Sequence, residues 1–194
     1  MIKFGTGGWR GIIGDVFTFE NVRRVAKALA ILAKANAVDP RPIVVGYDMR
    51  FMSRSFAEAF AEVLAHEGVE VWLMDGPTPT PTVMFAVERE RLDYGATITA
   101  SHNPPQYNGI KVIVKEGRDA PVEVTDELEL IIQSLPDGEV AHGVCSKFVE
   151  KGLVKMYSNR NQYIEALLAQ VDVEAIQKQA FRVLFNPIDR KSVV

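Results

Sequence analysis

Ser101 and His102 stand side by side in Thr99-Ala100-Ser101-His102-Asn103-Pro104-Pro105, and a serine next to a histidine first raises nucleophilic chemistry. The preceding run, Tyr94-Gly95-Ala96-Thr97-Ile98-Thr99-Ala100, alternates like a strand, and the two prolines after it stop regular structure. The hydroxyl of Ser101 is therefore held at a strand end on a stiff polar loop. In open α/β sheets the ligand crevice lies just beyond the carboxyl ends of the strands. A hydrolase pair is not what this spacing favours: neighbours on an extended segment point to opposite faces, and the Gly-x-Ser-x-Gly elbow is missing. The plainer alternative is a loop serine in a local turn hydrogen bond. Asn108-Gly109 reads as a turn, and Ile110-Lys111-Val112-Ile113-Val114 as a returning strand.

Cations stand near enough in the pattern to serve an anion. Arg10 falls in Phe4-Gly5-Thr6-Gly7-Gly8-Trp9-Arg10-Gly11, a glycine-rich loop that lets backbone approach an anion closely; a surface arginine is the other reading. The loop is not a dinucleotide fingerprint. Gly5 and Gly7 fit its first two positions, but Arg10 stands where the third glycine belongs and no strand precedes it. Lys111 opens the returning strand on the face opposite Ile110 and Val112, where a solvated strand-end lysine is the plain alternative. Asn103 precedes a proline and is placed to fix the turn. Asp48 and Arg50, in Val45-Gly46-Tyr47-Asp48-Met49-Arg50, read as an ion pair bracing the loops rather than as reacting groups. Trp9 reads as packed beneath the loop. His66, His102 and His142 show no metal-ligand spacing.

The elements that must position these residues alternate. Thr18 caps a helix whose stripe is Val22, Val25, Leu29 and Leu32, with Phe17 stapled to Val22. Ile43 to Gly46 is a strand leading into Asp48 and Arg50. Ser55 and Glu58 form a capping box for a helix that Gly68 stops. Val69 to Met74 is a strand, and Pro77 to Thr82 a rigid entry into a helix through Phe85 and Arg89. Thr125 caps a helix through Ile132, ended by Pro136-Asp137-Gly138. Residues 139–151 read as a linker, Tyr157 to Gln170 and Val173 to Lys178 as helices, and Phe181 to Phe185 as a last strand. The expected fold is a three-layer α/β/α domain with a mixed, mostly parallel sheet. The short link around Ser101 requires one antiparallel neighbour. The expected division is a domain over 1–136, linker and helices over 137–180, and the start of another unit over 181–194.

The 194 residues, 47% hydrophobic and 24% charged, suit an ordinary soluble domain. The net charge of −3 supplies no global field for nucleic acid or anionic membrane, so an anionic substrate would need a local basic pocket. A single cysteine, Cys145, forms no internal disulfide and fits a reducing cytosol. No apolar run approaches the roughly 18 residues of a membrane helix, and no signal peptide precedes the first glycines. These features imply a cytoplasmic protein.

Four motifs, in order, resemble the α-D-phosphohexomutases, the phosphoglucomutase and phosphomannomutase family: the Phe4–Gly11 loop, Gly46-Tyr47-Asp48-Met49-Arg50, the Ser101 loop, and Tyr107-Asn108-Gly109-Ile110-Lys111. The resemblance covers that family's first domain and the approach to its second. It implies that Ser101 carries a transferable phosphate, with Arg10 near it and Lys111, among other cations, as the candidate acid/base and Arg10 as rival. His102 and Asn103 would contact phosphate or substrate. It further implies Mg²⁺ held in part by the phosphate on Ser101, hexose 1,6-bisphosphate as activator, a hexose monophosphate substrate, and a phosphate moved between C1 and C6. Pro105 and Gly7 lean toward glucose or mannose phosphates rather than glucosamine phosphate, glucose first. The family's Asp-Gly-Asp-Gly-Asp-Arg, sugar and second phosphate loops are not among these residues. The resemblance therefore implies an N-terminal part lacking domains II to IV, inactive alone, with residues 189–194 departing from the family pattern. Apolar surface exposed by that separation implies self-association. A non-catalytic α/β module that binds an anion or partner chain is the alternative from another class.

Overall fold

The computed structural model describes residues 2–5, 8–37, 40–179 and 181–184. Strand β1 (Gly8–Ile12) leads through Thr18, whose side chain accepts from the Asn21 amide, into helix α1 (Phe19–Asn36). There follow β2 (Ile43–Tyr47), α2 (Ser53–His66), β3 (Val71–Met74), α3 (Thr80–Arg89), β4 (Tyr94–Ile98) and β5 (Tyr107–Val114). After a 3-10 turn come β6 (Arg118–Asp119), α4 (Val122–Ser134), α5 (Cys145–Glu150), β7 (Val154–Tyr157), α6 (Arg160–Leu168) and α7 (Val173–Gln177).

The strands form one sheet in the order β1-β5-β4-β2-β3-β7, with β6 continuing along β5. β2 pairs in parallel with β3 and β4, and β3 with β7. β5 is antiparallel to β4, β1 and β6. Among the described strands, then, six run one way and β5 alone runs back, as the short link around Ser101 requires. The sheet is mixed and mostly parallel, with helices on both faces.

Alternation along the strands splits the core. Ile43, Val45, Ile98, Ile110 and Val112 face the α1 and α2 layer, where Leu29, Phe56, Phe60 and Leu64 are buried. Val44 and Ile113 face the α3 side with Val83 and Val87. Trp9 is buried in the first cluster and stacks on Phe17 with centroids 4.9 Å apart; Phe17 meets Phe56 edge-on. Gly46 is where α3 touches the sheet most closely: a Cβ there would lie 2.4 Å from Val83 Cγ2.

Several local readings are corrected. The glycine-rich segment read as a loop is strand β1 from Gly8 onward, because β5 offers it a full ladder; Thr6 and Gly7 lie outside the described residues. Asn108-Gly109 is not a turn but lies inside β5. The Ser55–Glu58 capping box does not form: α2 starts at Ser53 after Met52, and Glu58 instead pairs with Arg54. Thr125 sits within α4, bonding back to the Val122 carbonyl, rather than capping it. The segment read as a linker carries α5, and β7 follows it, extending the sheet to Tyr157. Residues 181–184 form no strand, and without a partner strand a lone one has no ladder to join; Phe185 and the 189–194 tail lie outside the described residues.

Candidate functional site

The loops after β2 and β4 meet at one end of the sheet, and Arg50 joins them. Its guanidinium is almost wholly buried and donates to four carbonyls of the serine loop: Ser101 and Asn103 from Nη2, both at 2.7 Å, and Pro104 and Tyr107 from Nη1, at 3.0 and 3.1 Å. Five fixed donors in a planar fork can gather several carbonyls at once, as no lysine would. Asp48 holds Arg50 in turn, with Oδ2 3.4 Å from Nε and Oδ1 accepting from the Arg50 amide at 3.0 Å.

The same carboxylate organises the strand beyond. Ser53 donates to Asp48 Oδ1 at 2.7 Å and accepts from Asn108 Nδ2 at 2.9 Å. Asn108 Oδ1 accepts from the Gly109 amide, and the Gly109 carbonyl accepts from the Thr99 amide at 2.8 Å. Ser53 and Asn108 are fully buried, and sequence reasoning missed the role of both. Their signal was there as buried polar residues at element ends, which must find partners, but a short polar residue reads locally as a cap or a turn.

Ser101 itself has φ of 56°, a left-handed backbone that non-glycine residues adopt rarely. Its amide donates to Thr99 Oγ1 at 3.0 Å. Its Oγ lies 3.3 Å from His102 Nδ1, which corrects the expectation that the two side chains diverge: left-handed backbone breaks the extended alternation. No carboxylate orients His102 among the described residues, so a serine–histidine–acid triad is not assembled. Asn103 donates its amide to the Ala100 carbonyl within the same turn.

Arg10 lies across from Gly109 in the β1–β5 ladder. Its Nε is buried without a hydrogen-bond partner, and no ion pair engages it among the described residues. Gly109 permits this approach: a Cβ would lie 2.6 Å from the Trp9 carbonyl, 2.7 Å from that of Thr99 and 2.9 Å from Arg10 Cγ. Lys111 lies across from Gly8 and Thr97. It was expected among cations, but its Nζ sits between both oxygens of Asp119 at 2.8 and 2.7 Å. Beside the clamp, an open cleft of about 480 Å³ is bordered by Asp48, Ser53, Arg54 and Asp75. At its base burial pushes the Tyr47 phenol above its ordinary pKa, partly offset by Arg54.

No group of three or more His, Cys, Asp or Glu side chains able to hold a metal ion occurs among the described residues. Asp48 Oδ1 accepts from Ser53, while Oδ2, without a hydrogen-bond partner among the described residues, faces Arg50 Nε at 3.4 Å; the described residues around it do not make a Mg²⁺ site. No helix among the described residues is long and apolar enough to cross a membrane.

The α/β/α domain thus presents a clamped serine at the carboxyl end of β4, with Lys111 on the adjoining strand β5 and Arg10 on β1 beyond it. The chain belongs to the phosphoglucomutase/phosphomannomutase family: the model of that family's alpha/beta/alpha domain I matches residues 1–138. The chain is 34% identical over 184 residues to a phosphoglucomutase of Staphylococcus saprophyticus, with 89% of this chain and 33% of that one covered. It is 36% identical over 176 residues to a phosphoglucomutase/phosphomannomutase of Thermococcus kodakarensis, covering 91% and 37%, and 34% identical over 184 residues to a phosphoglucosamine/phosphogalactosamine mutase of Sulfurisphaera tokodaii, covering 95% and 38%. Among solved structures, a phosphoglucomutase/phosphomannomutase family protein from Burkholderia thailandensis superposes with a TM-score of 0.68 at 26% identity, covering 88% of this chain and 37% of that one. The chain thus spans about a third of these relatives' length, from 33% to 38%.

Proposed function

We infer that this chain is the phosphoserine-bearing first part of a hexose-phosphate mutase, an intramolecular phosphotransferase interconverting hexose 1-phosphate and hexose 6-phosphate. The observation that carries the reading is the Arg50 clamp, which commits a buried cation to holding the Ser101 loop in one left-handed form. Phosphoryl transfer asks the protein mainly for position and positive charge. Arg10, whose Nε has no hydrogen-bond partner among the described residues, is the proposed contact for the phosphate on Ser101, with His102 and Asn103 as further contacts.

In the proposed cycle the phosphoryl group leaves Ser101 Oγ for a free sugar hydroxyl, forming a P–O bond as the serine P–O bond breaks. Acting as the neutral amine, Lys111 takes the hydroxyl's proton and returns it to the Ser101 oxygen as the serine P–O bond breaks; Arg10 is the rival for this acid/base role. The bisphosphorylated sugar turns over, and its other phosphate returns to Ser101, restoring the starting state with phosphate moved between C1 and C6. Mg²⁺, when bound, would neutralise charge on the transferring group; from this chain only the phosphate on Ser101 is proposed as a ligand. Hexose 1,6-bisphosphate is the proposed activator. Glucose or mannose phosphate is the proposed substrate, glucose first. The three relatives are named for different sugars while their identities fall between 34% and 36%, so overall identity does not sort them. The proposal places the protein in the cytoplasm.

The chain alone is expected to lack mutase activity, because the described residues hold no complete metal site, and to self-associate through apolar side chains such as Leu168 and Ile176. The deciding experiment makes Ser101→Ala in the full natural gene product. Turnover of hexose 1-phosphate should fall below detection, and the phosphate found by mass spectrometry on the peptide containing Ser101 should disappear. Undiminished turnover would sink the reading in favour of a non-catalytic binding module.

A further inference from the structure

Lys111 and Asp119 make a contact whose direction bears on the serine loop. β5 runs away from that loop from Tyr107 to Val114, and Lys111 stands two residues beyond Gly109, about 7 Å at the strand rise of about 3.4 Å per residue. Asp119 pairs across from Ile113, two residues farther on. Its two oxygens, at 2.8 and 2.7 Å from Nζ, therefore draw the ammonium in the direction in which β5 leaves the serine loop. The neighbouring charges are engaged elsewhere, Arg118 by Glu116 and Lys115 by Asp93, each at 2.9 Å. Gly8 leaves the lysine its place, since a Cβ there would lie 3.1 Å from Lys111 Cγ and 2.8 Å from the Ile110 carbonyl. The lysine side chain is 17% exposed and the aspartate 39%, so the pair is open to exchange on its aspartate side.

We propose that Asp119 is a positioning residue that competes with phosphate for Lys111: an anion arriving at the Ser101 loop must draw the ammonium off this carboxylate. The idea rests on the reading of that loop as a phosphate-handling site. A partly exposed pair of this kind exchanges at small cost, which suits a contact that is broken and remade.

The test titrates inorganic phosphate into the 194-residue chain and follows the backbone amides of Ser101, His102 and Lys111 by ¹H–¹⁵N NMR. Asp119→Asn should tighten phosphate binding about two- to fivefold. Asp119→Glu should stay near the parent value. In the Lys111→Met background the gain from Asp119→Asn should vanish, which separates release of the lysine from a mere change of net charge. Equal or weaker binding in Asp119→Asn, or a gain that persists without Lys111, overturns the proposal while leaving the mutase reading intact. Absence of phosphate shifts at the loop in every variant overturns it too, and counts against the phosphate-handling site itself. Thermal unfolding of each variant checks that the fold is retained.

Discussion

Two regions of this molecule contain comparable apolar side chains and use them differently. From β1 through β7 the helices lie on a sheet, and Val25, Leu29, Phe56, Phe60 and Leu64 are wholly buried. Beyond β7, α6 and α7 bury no residue, and Ile164, Leu167, Leu168 and Ile176 remain exposed. Helix formation and burial are therefore separate achievements: α7 has its own cap, yet only a second layer converts an apolar stripe into stability. The serine loop hangs from the first region, so its geometry rests on the part that buries its own core.

The largest effect should come from cutting that core. Phe56→Ala removes a ring packed against Phe17 and Phe19 and should lower the urea-unfolding free energy by about 3–5 kcal/mol. Leu168→Ala, half-exposed on α6, should stay within about 0.5 kcal/mol. Equal losses would erase the contrast. Arg50→Met comes next: it strands buried Asp48 without its cation and should cost about 3–5 kcal/mol. It should also speed amide hydrogen exchange through residues 101–107, a loop-specific signature that a general loss of stability would not produce.

The two helix caps test the contrast on a matched interaction. Thr18 caps α1 by accepting from the Asn21 amide at 3.2 Å, and Asp172 caps α7 by accepting from the Ala175 amide at 2.8 Å. Thr18→Ala should cost about 1 kcal/mol of global stability. Asp172→Ala should leave the global transition unmoved and loosen only α7, read from local hydrogen exchange. The smallest effect is confined to alkaline pH and tests the seam between the regions. Tyr157 ends β7, stacks on Trp72 and donates to Glu90 at 3.3 Å. Burial first, then the Glu90 carboxylate, push its phenol up to about 12 from 10.0. The neutral phenol is the form that folding favours, so its contribution is intact below pH 10 and is lost as pH rises toward 12. Tyr157→Phe should flatten that part of the stability profile in alkaline denaturation. An unchanged slope would mean that β7 does not share the body's unfolding.

Periodicity and local stereochemistry were enough to read the layered fold, the Val22–Leu32 stripe, the Thr18 cap and the stop at Gly68 from the order of the residues. The residue pattern also marked Ser101, Arg10, Lys111, Asp48 and Arg50 as the residues to watch, and the reversal at β5 followed from loop length alone. Other features depended on partners far along the chain. Gly8 to Ile12 is a strand only because β5 lies beside it. Val154 to Tyr157 is too short to declare itself without β3. Ser53 and Asn108 became the links between Asp48 and Gly109 only when β2 and β5 were brought to one end of the sheet. Arg50 reaches residues 101 to 107 across more than fifty positions, and Lys111 is met by Asp119 through the short β6 pairing. Hydrogen-bond donors and charges take whichever partners folding brings within reach, and that reach is a property of the tertiary structure.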